Sequence, residues 1–342
     1  MNLNVLTCQY IMEKEMSELN YDVVLNRNAG RVTPALINQL QQQLPSDRLH
    51  LTESLLHSRE VLQECVERGS ETIFAGGGDG TIVDVINGLH EFSEGTPPTV
   101  GVLRLGTGNA LAYWLNSSKP SDDLKRWEHP HSHSIIKANM IEAEDTLFPF
   151  AGLGIDAAIL NDYNKVKRSS KTKWYKPLMK GMTGYLWAGY LHTLPNHIKT
   201  PKVSVRITNL GRPAFAIGPT GAEIGEPIPT GGVLFEGMVS TVTCASTPYY
   251  GYKMKMFPFA TKRDGRFQLR VVTMSPLQIG QHIYSAWNGE LRHPGLLDYY
   301  VDKIHVEFED TIPYQLGGEA TGYRKDITFS LAKRPTNMVS FH

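Results

Sequence analysis

Seven consecutive residues, Ala75-Gly76-Gly77-Gly78-Asp79-Gly80-Thr81, bring together four glycines, one carboxylate and one hydroxyl. Glycines let the backbone approach a ligand closely and turn successive N–H groups toward it. Residues 71–75 read as a strand and 81–89 as a helix. A helix N-terminus carries partial positive charge, so the chemistry on offer is phosphate binding. Asp79 is out of place in a pure anion cradle. Beside phosphates a carboxylate is useful if it holds a magnesium ion or accepts a proton. A glycine turn in which Asp79 merely caps the helix has the same local pattern.

Two further loops repeat the design. Gly106-Thr107-Gly108-Asn109 follows a strand and opens a helix, and Asn26-Arg27-Asn28-Ala29-Gly30 follows an earlier strand. Parallel strands project the loops that follow them to one edge, the ligand edge of an open α/β sheet. Neither the GxGxxG dinucleotide fingerprint nor the GxxxxGK[ST] phosphate loop is present, and no lysine stands where the latter needs one.

The elements that must position these loops alternate. Residues 21–25 read as a strand. Thr33-Pro34 opens a helix with Leu36, Ile37, Leu40 and Leu44 on one face. A short strand at 49–52 precedes a helix at 58–68, with Val61, Leu62, Cys65 and Val66 inward and Gly69 as its stop. Residues 99–105 form another strand. This order predicts a parallel sheet covered on both faces. Beyond His129-Pro130-His131 the pattern changes: 134–142, 146–151, 202–208, 212–218, 231–245, 266–273 and 301–309 read as strands, interrupted by helices near 154–165 and 174–194. The expected fold is α/β, with an N-terminal open parallel-sheet domain over 21–130 and a C-terminal antiparallel β-sandwich over 131–320. A segment at 321–342 is expected to return to the first domain.

Composition narrows the class. The 342 residues carry 34 Lys+Arg against 34 Asp+Glu, with 20% charged and 41% hydrophobic residues. That describes a globular chain long enough for two domains, and its neutral balance argues against a dedicated nucleic-acid binder. Cys8, Cys65 and Cys244 are widely spaced and odd in number, which fits reduced thiols of a cytoplasmic protein. The most apolar run, 148–160, is too short and too interrupted to span a bilayer. The N-terminus lacks a signal pattern, so a soluble protein with at most peripheral membrane contact is expected.

The glycine segment, Gly76 to Leu89 (GGGDGTIVDVINGL), resembles the signature of the diacylglycerol kinase catalytic domain, whose superfamily includes bacterial lipid kinases, sphingosine kinases and ceramide kinases. The likeness runs along most of the chain. Asn26 to Gly30 is similar to that family's Asn-Pro-x-x-Gly loop, with Arg27 replacing proline. Gly106 to Ala112 (GTGNALA) is similar to its GTxND loop, with Ala110 replacing aspartate as in sphingosine-kinase-like members. Ala151 to Ala157 (AGLGIDA), Tyr249-Tyr250-Gly251, Pro258-Phe259-Ala260 and Asp264-Gly265 match later stretches. Leu316-Gly317-Gly318-Glu319 stands where the family has Asp-Gly-Glu, so Gly317 replaces a second aspartate.

The resemblance implies an NAD kinase/diacylglycerol kinase-like α/β domain that binds ATP through Asn26, Arg27, Asn28, Ala29, Gly30, Thr52, Gly77, Gly78, Asp79, Gly80, Thr81, Ile82, Val83, Thr107 and Asn109. It implies Asp79 and Glu319 as catalytic residues, Asp79 either holding magnesium or accepting a proton. Glu319 would be the base that takes the proton of a lipid hydroxyl as the γ-phosphoryl moves. It also implies a structural magnesium held by Asp264 with the backbone carbonyls of Thr261 and Arg266, although a strand-joining turn explains Asp264-Gly265 equally well. The implied substrate is a membrane lipid, diacylglycerol by default. The basic segment 165–180, interleaved with Trp174 and Tyr175, could dock on an anionic membrane surface during turnover, or could pack its aromatics inward. A sphingoid-base kinase, an NAD kinase and a catalytically silent lipid- or nucleotide-binding relative are the alternatives.

Overall fold

A computed structural model describes residues 20–158, 160 and 202–342. The chain divides into two compact units. The first runs up to Gly106 and takes in Leu115–Ala138 and Thr336–His342; the second is Thr107–Trp114 with Asn139–Pro335.

The first unit is built on six strands: β1 (Tyr21–Asn26), β2 (Leu49–Thr52), β3 (Thr72–Gly77), β4 (Thr99–Arg104), β5 (His133–Ala138) and β18 (Thr336–Phe341). Their order is β2-β1-β3-β4-β18-β5, parallel throughout except for β5, which runs antiparallel to β18. The central strands are continuous apolar runs because both faces are covered. Every residue of β3 is buried. On one face Val23, Leu25, Phe74, Leu103, Val339 and Phe341 form a core with Leu40 and Leu124.

The helices start where the sequence supplies caps. In α1 (Pro34–Gln43), the Thr33 side chain accepts from the Leu36 N–H and proline occupies the first turn. In α2 (Leu55–Glu67), the Ser54 side chain accepts from the His57 N–H. The next helix, α3 (Asp79–Phe92), begins at Gly78 without any side-chain cap. A short α4 (Ala110–Trp114) belongs to the second unit, and α5 (Pro120–Trp127) to the first. Helices α2 and α3 meet at Gly88, where an added Cβ would lie 2.9 Å from Leu62.

Among the described residues, the second unit holds one antiparallel sheet of 12 strands that includes β6 (Ile141–Ala143), β7 (Thr146–Phe148), β9 (Val203–Asn209), β10 (Ala214–Ile217), β11 (Glu223–Ile228), β12 (Val233–Val239), β15 (Leu296–Val301) and β17 (Glu319–Leu331). The strands at its centre are β8 (Phe150–Gly154), β13 (Thr241–Ala245), β14 (Phe267–Val272) and β16 (Lys303–Leu316). Together they run in the order β11-β10-β15-β14-β13-β8-β16-β17-β6-β7, with β9 joined to β16 and β12 to β9. Strand β16 breaks register between Glu307 and Ile312. Its first half pairs with β9 (Val203–Asn209) and its end pairs with β8. The sheet thereby branches, and its largest core takes residues from both branches: Val205 and Ile207 pack in one cluster with Phe267, Leu269 and Val271, as the inner faces of sandwich layers do. Two short helices, α6 (Pro276–Gln281) and α7 (Ile283–Trp287), lie between β14 and β15 (Leu296–Val301).

The strands at 223–228, 296–301 and 319–331 and the helices at 276–287 add to those read from the sequence. The basic segment 165–180 and the helix expected at 174–194 lie outside the described residues, as does most of 154–165, of which 155–158 are helical. Among the described residues no helix is long and apolar enough to cross a membrane.

Candidate active site

The C-terminal edge of the first sheet collects the loops after β1, β2 and β3. The sequence places a turn over Gly76–Gly80, but the structure shortens it to one residue. Gly76 and Gly77 finish β3, and α3 starts at Asp79. The reason is packing. A Cβ on Gly76 would collide with the Leu25 side chain, and one on Gly77 would lie 2.5 Å from Thr81. At Gly78 the nearest atom to an added Cβ is the Gly106 Cα at 3.8 Å, an ordinary contact, so there, unlike at Gly76 and Gly77, packing leaves room. The first-turn N–H groups of an α-helix have no intrahelical acceptor, and Gly78 offers no side chain to cap them. Asp79 and Gly80 are half-buried beside them.

Side chains from the neighbouring loops converge on this turn. Asn26 Nδ2 donates to the Thr81 hydroxyl at 3.0 Å, while Asn26 Oδ1 accepts from the Asn28 N–H at 2.9 Å. Because Thr81 accepts here, its own proton can be directed elsewhere. Asn28 Nδ2 donates to the Glu53 carbonyl, and Arg27 pairs with the Glu53 carboxylate at 2.8 Å. Ala29 N–H closes the turn onto Asn26 O, and Gly30 is exposed. Thr52 is buried and its hydroxyl donates to Leu25 O, so it stiffens the edge from within. Ile82 is buried and Val83 half-buried.

In the second unit, Thr107 is exposed and Asn109 is buried with φ of 54°, a left-handed conformation that asparagine tolerates. Gly108 O accepts from the Tyr252 N–H at 2.8 Å, tying this loop to the Tyr249–Tyr252 stretch. Ala110 packs with Phe150, Ala245, Phe257 and Ala260. A carboxylate at that position would be desolvated among apolar groups, a physical reason for alanine there.

Glu319 is the first residue of β17 (Glu319–Leu331) and is exposed. It pairs with Leu316 across the two-residue turn Gly317-Gly318, whose φ values are 53° and 88°. Positive φ at both positions is the type I′ geometry that glycine permits. Directly behind this hairpin lies a partly buried polar group that the sequence reading did not assemble. The Asp156 carboxylate accepts from Thr241 Oγ1 at 2.7 Å, from the Tyr250 hydroxyl at 2.6 Å and from Gln315 Nε2 at 3.4 Å. Gln315 Nε2 also donates to the Tyr250 hydroxyl, and its Oε1 accepts from the Gly318 N–H at 2.9 Å. Burial pushes the Asp156 carboxyl above the usual range, and these bonds with the Ala157 N–H offset only part of that rise. Gly152 leaves the space the carboxylate fills, so the Gly-x-x-x-Asp spacing of 152–156 was the available signal.

Asp264 and Thr261 are exposed and Arg266 is buried. Asp264 Oδ1 accepts from its neighbour's Gly265 N–H at 2.9 Å and from Asn139 at 3.4 Å, while Arg212 Nη2 donates to Gly265 O at 2.6 Å. The turn is thus closed by its own bonds beside a guanidinium. One carboxylate in that setting does not fit a firmly held dication.

An open parallel α/β sheet joined to a large antiparallel sheet is the fold of the diacylglycerol kinase structures. A crystal structure of a diacylglycerol kinase from Bacillus anthracis str. Sterne superposes with a TM-score of 0.62 at 15% identity, covering 95% of this chain and 97% of that one. Another protein of the same organism reaches 0.66 at 17% identity, with the same coverage. Residues 21–143 match the family model described as the diacylglycerol kinase catalytic domain. A "Probable lipid kinase YegS" from Salmonella heidelberg (strain SL476) is 42% identical over 55 residues, 16% of this chain and 18% of the relative. The same figures hold for its counterpart in Salmonella schwarzengrund (strain CVM19633). The chain therefore spans about a fifth of the length of the curated relatives it matches.

Proposed function

We propose that the protein is an ATP-dependent lipid kinase that transfers the γ-phosphoryl group to the hydroxyl of a membrane lipid, with diacylglycerol as the first acceptor to test. The observation that carries this reading is the uncapped first turn of α3. Its N–H groups, the open approach at Gly78 and the Thr81 hydroxyl together form a phosphate cradle. A carboxylate at the head of that cradle suits a cation bound together with polyphosphate. Asp79 is the residue that would hold magnesium, which when bound neutralises charge on the β- and γ-phosphates. The loop of Asn26 to Gly30, in the same unit, completes the phosphate end of the nucleotide site in this reading, and Thr107 and Asn109 keep the nucleotide-contact role that the resemblance implies.

Glu319 takes the proton of the acceptor hydroxyl as its oxygen attacks the γ-phosphorus. The bond to the β-phosphate oxygen breaks and ADP leaves. Its exposure at a sharp turn suits a group that must meet a substrate. Support for a lipid acceptor comes from the family of the 21–143 domain and from the naming of its relatives as lipid or diacylglycerol kinases. In this reading the segment 165–180 rests on an anionic bilayer during turnover. A cation at Asp264 is left out, because Arg212 already serves that turn.

The test is transfer of labelled phosphate from ATP, with magnesium, to vesicles containing diacylglycerol, sphingosine or another long-chain alcohol, and to NAD. A labelled lipid made by the wild type and lost in Asp79→Ala and Glu319→Ala supports the reading. Labelled NAD, or ATP binding without transfer to any acceptor, overturns it.

A further inference from the structure

The Gly317-Gly318 turn does not define its own conformation. Two adjacent glycines are the least restricted pair a chain can contain, yet the next residue, Glu319, must hold one direction if it is to accept a proton. Two N–H groups anchor this turn. Gly317 donates to Phe150 O at 2.9 Å, tying the turn to the start of β8. Gly318 donates at 2.9 Å to Gln315 Oε1, the side chain of a residue only three positions earlier.

That side chain is fully buried and has one orientation. Its Nε2 donates to the Tyr250 hydroxyl and to Asp156 Oδ2, so a reversed amide would set a carbonyl against a carboxylate and leave the Gly318 N–H facing an amide nitrogen. Tyr250 is fixed in turn by its hydroxyl bond to Asp156 and by its ring, 4.6 Å from that of Phe150 and 6.0 Å from that of Phe257. Asp156 is fixed by Thr241 and by the Ala157 N–H. Gln315 and Thr241 are buried and Asp156 and Tyr250 half-buried, and polar groups so withdrawn from water cost stability unless each is satisfied. The Gly318 N–H is where this set meets the turn before Glu319.

We propose that Gln315 is a positioning residue: locked by Tyr250 and Asp156, its amide sets the Gly317-Gly318 turn and thereby the direction of Glu319. The proposal rests on the lipid-kinase reading for the role of Glu319, but the control of the turn stands on geometry alone. It also gives the missing carboxylate at 317 a counterpart, since the turn is oriented from behind by a neutral amide.

The experiment compares wild type, Gln315→Ala and Tyr250→Phe, the last removing one hydroxyl while keeping the stacked ring. Three quantities are read: kcat and KM for ATP in the vesicle assay, and amide hydrogen exchange at Gly318, with Leu153 and Tyr314 as core references. Expected are a fall in kcat of about tenfold to a hundredfold, an unchanged KM for ATP, and exchange at Gly318 about tenfold faster while the reference amides keep their protection. Unchanged Gly318 exchange in both variants overturns the proposal. So does faster exchange with unchanged kcat in an active enzyme. A wild type that labels no lipid refutes the lipid-kinase reading by itself, and Gly318 exchange then decides whether the network sets the turn.

Discussion

The Asn26 side-chain amide donates to the Thr81 hydroxyl at 3.0 Å, joining the loop after the first strand to the first turn of α3, 55 residues further along the chain. The bond uses the oxygen lone pair of Thr81 and leaves its proton for a ligand. Replacing Thr81 by valine removes that donor with little change in volume. The expected result is ATP binding weakened about tenfold, the equivalent of one hydrogen bond to a charged group at about 1.5 kcal/mol, read by calorimetric titration, with Asn26→Ala giving a smaller loss.

Adjacent glycines should answer differently to alanine. At Gly77 the new methyl meets Thr81, so Gly77→Ala should cost about 1–3 kcal/mol of stability through overpacking. At Gly78 there is room and φ is −88°, so Gly78→Ala should unfold at the wild-type midpoint but bind ATP weakly, because the methyl stands in the approach to the helix. Urea denaturation and ATP titration on the two variants separate these outcomes.

Asp22 should make the first unit acid-sensitive. Burial pushes its carboxyl up, but hydrogen bonds from His50 and Ser70 and the Arg68 charge more than offset this and hold it below the ordinary range. A carboxyl lowered on folding contributes stability that is present above the unfolded value of about 3.9 and drains away as pH falls through the folded value. Asp22, His50 and Cys65 bring ligand-type atoms within 4.8 Å of one another, yet the Arg68 guanidinium stands among them, so the cluster is an ion-pair centre. Asp22→Asn should cost about 2–3 kcal/mol at pH 7, below the full value for a buried pair because Arg48 and Arg68 reach water. It should also flatten the acid limb of a urea-stability profile.

Asp156 should slope the other way. Its carboxyl is raised on folding, so its contribution is complete below about pH 3.9 and is lost as pH rises through the folded value. The Thr241 hydroxyl has one proton and two acceptors within reach, Leu153 O at 2.8 Å and Asp156 at 2.7 Å, and protonation of the carboxyl satisfies both. Asp156→Asn should remove this alkaline-side decline, as measured by denaturation across pH 4 to about pH 8.

Arg270 and Asp298 form a buried pair, with Arg270 Nε and Nη2 at 2.8 and 2.9 Å from the two carboxylate oxygens. Asp298→Ala strands a guanidinium that has almost no access to water. A loss of about 3–5 kcal/mol is expected in urea unfolding, against a much smaller loss for the double variant that also replaces Arg270 by methionine.

The legibility of this chain followed the range of its interactions. Strands β1, β3 and β4 were visible because burial on both faces makes them apolar runs. Strand β11 (Glu223–Ile228) was not, since it is exposed along most of its length and contains Gly225 and Pro227. Strand β17 is mostly polar, and only Ile327 and Phe329 show its inner face. At the candidate site, the glycine turn that opens α3 was readable because it is local, whereas the Asp156 group joins residues 94 and 159 positions apart. The glycines misled in one respect. Their abundance suggested a wide loop, while two of the four residues at 76, 77, 78 and 80 serve internal packing against Leu25 and Thr81.

Strand β18 lies between β4 and β5, although it is made after every strand of the second unit. On the ribosome the first sheet must therefore wait with a gap, and β5, whose partner in the sheet is β18, must wait with it. Synthesis order makes the earliest-made unit the last to be finished. Loss of a handful of residues after Pro335 would harm the part of the protein translated first, and a nascent chain stalled there would present two open strand edges to chaperones and proteases.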